Sequence, residues 1–344
     1  MNGKSDGRLS AGFARNTAAL SCILLAGFLA SFLIGRYAIP LKTVVDILLS
    51  PLTGITPYWE GTLATVILRV RLPRILLALM VGGALSLSGA AYQTLFKNPL
   101  VSPDILGVSA GAGFGAALAM IFRASWWEIQ LFAFAAGIAA VMISYLISRL
   151  FGRQEITVLI LAGIVVSSLF QALLSIVKTL ADTENALPSI TFWLMGSLGR
   201  VSGREVLLML PALALSCAGL FFFRYQIDTL SAGEDEAAAM GVNVPLVKTA
   251  VVIASTLMTV SAVSICGIIG WIGLVVPHIA RALAGARFSR IALMSFLAGG
   301  CFLLLIDDII RGIEGVELPL GVLTALAGTP VFVALLSRIH RRWQ

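Results

Sequence analysis

The chain has 344 residues, 59% of them hydrophobic and only 12% charged, about half the charged fraction of an ordinary soluble domain. Its formal net charge is +7, but the basic residues are scattered between long apolar runs. That excludes a nucleic-acid surface and leaves cytoplasmic loop charge as the source of the basic balance. Runs of about 20 apolar residues without period-2 alternation specify an all-α polytopic integral membrane protein rather than a barrel.

In chain order, a short tail at 1–16 precedes a first span at 17–35. Lys4, Arg8 and Arg15 in front of it resemble the start of a signal peptide. The run is long and lacks an A-x-A site, so it is expected to be retained. Gly3-Lys4-Ser5 looks like the end of a phosphate-binding loop, but without the upstream glycine and strand it is no nucleotide site.

Nine further spans are expected at 74–96, 105–122, 127–148, 156–177, 205–223, 247–265, 267–284, 291–310 and 319–337. The apolar segment 190–199 is too short to cross and reads as a half-helix or surface helix. The chain forms one transmembrane domain over 1–344. Ten spans put both termini on one side, and Arg338, Arg341 and Arg342 mark that side as cytoplasmic. The net charge is then +7 inside and 0 outside, as the positive-inside rule requires. The outer arginines are the exception.

Those arginines are Arg69, Arg71 and Arg74. Residues 71 and 74 share a face if a helix begins there, and Pro73 suits a first turn. They are either snorkelling interfacial side chains or a docking site for an acidic partner, since arginine pairs bidentately with carboxylates. At the outer end of the ninth span, Asp307 and Arg311 are i,i+4 and can pair; Arg311 can equally contact the acidic partner. Asp307 and Asp308 are adjacent, so they point about 100° apart on a helix, which argues against a catalytic dyad. His278 is expected to be structural.

A cytoplasmic segment at 228–246 contains Ser231-Ala-Gly-Glu234-Asp235-Glu236, where Ser231 and Glu234 match a capping box. Ala237–Met240 continue the helix, Gly241 can end it, and Asn243 with Pro245 can start the next. The result is a short helix and sharp turn held at the membrane surface. Its narrow alanine face suits a groove on another protein.

Gly107, Gly111 and Gly115 recur every four residues and Gly267, Gly270 and Gly273 every three, as in packed membrane helices. Pro211 and Pro277 are expected to kink or end their helices. Cys22, Cys217, Cys266 and Cys301 lie in apolar spans without C-x-x-C spacing and read as small buried hydrophobes. Gln93 and Gln171 are mid-span but cannot carry a proton. The scarcity of mid-span ionisable groups disfavours an ion-coupled secondary transporter.

Five motifs, in order, closely resemble the FecCD-type permease subunits of ABC importers: R-L-P-R (Arg71–Arg74), K-N-P-L-V-S-P-D-I-L-G (Lys97–Gly107), E-D-E-A-A-A-M-G-V (Glu234–Val242), G-W-I-G-L-V-V-P-H-I-A-R (Gly270–Arg281) and E-L-P-L-G-V-L-T-A-L-A-G-T-P (Glu317–Pro330). The resemblance implies a homodimer, or a heterodimer with a paralogue, in the inner membrane, with a passage along the dimer interface. It implies that Arg71, Arg74 and Arg311 dock a substrate-binding protein. It further implies that Glu234, Glu236, Ala238 and Gly241 belong to a coupling helix seated on a separate ABC ATPase. That partner would hold ATP and Mg; this chain would have no catalytic residue, metal site or cofactor. The implied cargo is a ferric siderophore or haem, with cobalamin as the alternative.

Overall fold

The computed structural model describes residues 3–35, 37–54, 56–151, 156–313 and 318–340. Glu317, Arg341 and Arg342 lie outside them, as do the side chains of Lys4, Arg8 and Arg338. The regular structure is helical throughout the described residues. The first part of the chain forms α1 (Gly3–Ser31), α2 (Leu41–Thr53), α3 (Gly61–Thr65), a π-helical turn (Val66–Arg71) and α4 (Leu72–Leu95). A 3₁₀ turn (Pro103–Leu106) leads into α5 (Val108–Ile121), α6 (Trp126–Phe151), α7 (Ile156–Leu180) and α8 (Ala186–Leu194). Then come α9 (Gly203–Phe222), α10 (Arg224–Ala232), α11 (Glu234–Ala239) and α12 (Val244–Cys266). The chain closes with α13 (Ile272–Ala284), α14 (Phe288–Gly312) and α15 (Leu320–His340).

Among the described residues, seven helices are long and apolar enough to cross a membrane, and three shorter apolar ones, Val108–Ile121, Ile272–Ala284 and Leu320–Ala334, accompany them. Each expected span falls on one of these ten, although several boundaries differ. Helix α1 begins at Gly3, so much of the expected tail is helical. The segment 190–199 resolves into α8, which ends at Leu194 because Gly196 adopts a left-handed φ of 74°.

The helices around α4 and α12 form the centre. Over an apolar 18-residue stretch of each, Gly61–Leu95 is 83% buried and Val244–Cys266 78%, whereas α7 and α9 are each 28% buried. Small residues make that centre possible. A Cβ on Gly82 would collide with the Gly299 backbone of α14, and one on Gly89 with the Gly273 backbone of α13. Without a hydrophobic driving force between helices in lipid, such close backbone approach supplies the packing attraction. Short polar bonds add to it: Ser88 meets Thr259 at 2.9 Å and Tyr92 meets Thr256 at 3.1 Å, both joining α4 to α12.

The two glycine series divide. Gly111 and Gly115 do share a face, closing on Ala136 and Phe132 of α6. Gly107 instead sits before α5 with φ of 90°, where the chain turns. Gly267 and Gly270 lie outside any helix, since α13 starts only at Ile272 after Trp271 adopts φ of 73°. Pro211 and Pro277 lie inside α9 and α13 without ending them.

Enlarging Gly82 or Gly89 to valine should drive α4 away from its neighbours. We expect roughly 1–3 kcal/mol or more of destabilisation, read as a lowered melting temperature of the detergent-purified chain. Gly12→Val, on open space, should leave the melting temperature unchanged.

Candidate functional sites at the two ends of the bundle

The helix carrying the arginine cluster does not start near Pro73, as the sequence suggests; it is continuous from Gly61 to Leu95. The π turn at Val66–Arg71 widens the backbone just before Pro73, which lacks an N–H to donate. This places the three arginines differently. Arg69 is exposed, while Arg71 is only 5% exposed. The Arg71 guanidinium donates to the carbonyl oxygens of Phe32 and Tyr37, beyond the end of α1.

Arg74 reaches across to α14. Its Nε and Nη2 lie 2.9 and 2.8 Å from Asp307 Oδ1, and its side chain is 20% exposed. Asp307 is fully buried and also faces Arg311, whose Nε is 2.9 Å from Oδ2, an ion pair rather than an aligned hydrogen bond. Arg311 pairs with Asp308 and donates from Nη1 to Ser31 O at 2.9 Å and Ile34 O at 3.1 Å. Ser31 Oγ in turn donates to Asp308 at 2.6 Å. The three arginines thus converge on one end of the bundle and bind α1, α4 and α14 together. Asp307 and Asp308 both belong to this charge network.

At the opposite end, α10, α11 and the start of α12 form the expected short helix and turn. One expectation fails: Ser231 does not cap α11. It lies inside α10, its Oγ donates to Asp228 O at 2.6 Å, and Gly233 occupies the N-cap without a side-chain bond. The chain extends α10 through Ala232 and spends the serine on a local backbone bond, an outcome favoured for hydroxyls within helices. Glu234 is held instead by Lys248 of α12 at 2.6 Å. Gly241 does end the helix, with φ of 80°, its N–H 2.9 Å from Ala238 O and that of Val242 3.0 Å from Ala237 O. Asn243 caps α12 by accepting from Leu246 N at 3.2 Å. Ala237 is buried, whereas Asp235, Glu236, Ala238 and Met240 are exposed.

Asp228 was not singled out by sequence, yet it ties this turn to the bundle. Its carboxylate accepts from the backbone N–H of Phe288 and from Ser289 Oγ at 3.0 Å, capping α14 from another helix. A lone aspartate on α10 gives no local sign of a partner 60 residues away. A capping box does form between Ser202 and Glu205 at the start of α9, and Ser125 with Glu128 makes the same reciprocal pair at the start of α6, both Ser-x-x-Glu signals open to reading. At the same end as α11, His278 Nε2 sits 2.9 Å from Pro99 O. Gln93 Nε2 donates to Val101 O and Leu274 O, and its Oε1 accepts from Arg281.

A cavity of about 1140 Å³ opens between α5–α6, α7–α8 and the start of α15. Arg123, Asp182, Arg200, Trp126 and Trp193 line it. The bundle's alternating helices place it at the same end as the arginine network. Arg123 holds φ of 52°, where glycine usually ends a helix, and Arg200 stands 5.5 Å over the Trp126 ring. Asp182 accepts from Asn185 Nδ2 at 2.9 Å and from the N–H groups of Glu184 and Asn185 at 3.2 Å. These bonds, the Asn185 side chain foremost, hold its carboxyl below the usual aspartate range, and Arg123 adds to the effect.

Asp307→Asn should leave Arg74 without its buried counter-charge and Arg311 with Asp308 alone. Breaking a buried pair on one side costs roughly 3–5 kcal/mol. The expected result is a clear fall in melting temperature, partly restored by Arg74→Met in the same chain. A coupling near zero in that double-mutant cycle would show that the pair holds nothing together.

Known proteins share this chain's sequence pattern and fold. The molybdate import system permease protein MolB of Haemophilus influenzae is 36% identical over 322 residues, covering 94% of this chain and 95% of its own. The Fe(3+) dicitrate transport system permease protein FecD of Escherichia coli is 36% identical over 280 residues, 80% and 86% of the two chains. A structure described as an inward-facing conformation of a metal-chelate type ABC transporter superposes with a TM-score of 0.84 at 34% identity, covering 94% of this chain and 99% of that one. Residues 23–338 match the profile of the FecCD transport family, and the chain belongs to that family as a permease subunit of an ABC importer.

Proposed function

We propose that this chain is the inner-membrane subunit through which an iron chelate enters the cell, powered by ATP that separate ABC ATPase subunits hydrolyse. A substrate-binding protein delivers the cargo outside, and both termini face the cytoplasm. The observation that carries this reading is the α11 turn. It is an exposed acidic and alanine-rich protrusion, pinned by Lys248–Glu234 and by the Gly241 and Asn243 caps. A turn pinned on both sides moves as a unit, and its exposed Glu236 and Ala238 offer a small, negatively edged plug for a cleft in the ATPase.

The opposite end docks the binding protein. Arg71, Arg74 and Arg311 are the docking arginines of this reading, with Arg74 the most accessible of them and Arg69 beside it in full exposure. A partner carboxylate bonding Arg74 must compete with Asp307. Helix α14 joins the two ends: Asp228 caps its start and Asp307, Asp308 and Arg311 end it. Its 25 residues span about 37 Å, enough to relay a displacement from one surface to the other.

The chain works as a pair, with itself or a paralogue, around a shared passage. Helix α7 supports this. Ser168, Gln171, Ser175 and Thr179 recur on its exposed side; the three hydroxyls bond to carbonyls of their own helix, which leaves the Gln171 amide as the group poorly placed against lipid. Molybdate is the second cargo reading, favoured by the Haemophilus influenzae relative. The iron-chelate reading is supported by the Escherichia coli relative and by a cavity many times the size of a tetrahedral oxyanion.

Purification from native membranes in mild detergent should bring down an ATPase and a binding protein carrying iron. Molybdenum in that binding protein would move the cargo to molybdate, and a corrin spectrum would move it to cobalamin. Ala238→Trp or Gly241→Val should abolish ATPase co-purification while leaving the membrane subunit folded; retained ATPase would count against α11 as its seat. Arg69→Glu with Arg74→Glu should weaken binding-protein affinity at low salt by about tenfold or more. Unchanged affinity would remove the docking role from this face.

A further inference from the structure

The cavity between α5–α6 and α7–α8 has an uneven chemistry. Its two cations, Arg123 and Arg200, are both exposed, and among the described residues neither closes a salt bridge with a carboxylate, Arg123 acting on Asp182 only at longer range. Its one acid, Asp182, is engaged by Asn185 and two backbone N–H groups. The Nε1 atoms of Trp126 and Trp193 are buried in its wall without a hydrogen-bond partner, and Trp193 as a whole is 7% exposed. Buried donors left unpaired cost about 1–3 kcal/mol each, so the wall has an excess of donors over acceptors. Both arginines are also presented by specific local structure. Arg123 occupies a left-handed position that a side-chain-bearing residue adopts at a cost, and Arg200 is stacked over an indole. Two cations in the mixed polar and apolar lining of one cleft concentrate the field on what enters.

From this geometry we infer that the cavity is a cargo subsite for a bulky anion, a metal chelate whose carboxylate or related oxygens are held by Arg123 and Arg200. The inference rests on the importer reading and adds the charge class of its cargo. Size separates the two anionic sources. At about 1140 Å³ the cavity somewhat exceeds the about 300–1,000 Å³ of sites for drug-sized ligands, far more room than a tetrahedral oxyanion fills. A neutral corrinoid would fill the volume but leave both guanidinium groups without a counter-charge.

Equilibrium dialysis of the purified full chain in detergent tests this directly. The probes are radiolabelled ferric citrate, molybdate and cyanocobalamin, each at low and at raised ionic strength. Ferric citrate should bind saturably and weaken with salt. Arg123→Gln and Arg200→Gln should each reduce its affinity by about tenfold or more, and Arg123→Lys should keep most of it. Size-exclusion profiles and melting temperatures of the variants exclude misfolding as the cause. Preference for molybdate, equal binding of cyanocobalamin, binding unaffected by the two glutamine variants, or no binding of any probe would each overturn the assignment. Because no ATPase or binding protein is present, such a failure leaves the importer reading standing. That reading fails by a different result, ferric citrate uptake into membrane vesicles that needs no ATP.

Discussion

The buried carboxylate of Asp307, set between Arg74 and Arg311, is the interaction on which this end of the molecule depends. A lone carboxylate in that position would be strongly disfavoured. With two guanidinium groups within 2.9 Å of its oxygens it becomes the point at which α4 and α14 are fixed together. Asp308 and Ser31 extend the contact to α1, and Arg71 secures the chain just beyond α1 through backbone carbonyls. Two acids and three arginines leave one positive charge in excess. That excess is what an approaching acidic partner would meet.

The same helix, α14, is held at its far end by Asp228, whose carboxylate satisfies the Phe288 N–H, one of those that a helix start leaves unpaired, and the Ser289 hydroxyl. Between these two charged ends the contact with α4 is made of glycine and small side chains, where backbones touch and little can compress. A rod gripped at both ends and packed without slack along its middle transmits displacement rather than absorbing it. Import needs this property, because energy is released on one side of the membrane and cargo arrives on the other.

Much of this was legible in the sequence. Hydropathy runs located the ten apolar helices, and the charge clusters fell at the two ends of the bundle. The Gly241 stop and the Asn243 start of α12 followed from local chemistry, and local signals of this kind are the most readable. The failures have one cause: competition between local and tertiary demands. Ser231 and Glu234 match a capping box, yet α10 continues through Ser231 and Glu234 is claimed by Lys248. Pro73 looks like a helix start, yet a π turn carries the helix through it and buries Arg71. Gly267 and Gly270 sit in an extended connection because Trp271 takes a left-handed conformation before α13. Asp228 and the cavity arginines escaped notice because their partners lie on other elements, where no spacing rule reaches.

The central claim is that work done on one face of this chain moves cargo bound at the other. The most direct test is ATP hydrolysis by the transporter, assembled with its ATPase and reconstituted in proteoliposomes with ATP on the α11 side only. Loaded binding protein is then added on the Arg74 side. The account predicts that hydrolysis rises on this addition and that the metal chelate accumulates on the ATP side in proportion. Hydrolysis indifferent to the binding protein, with uptake that instead follows an imposed ion gradient, would contradict it.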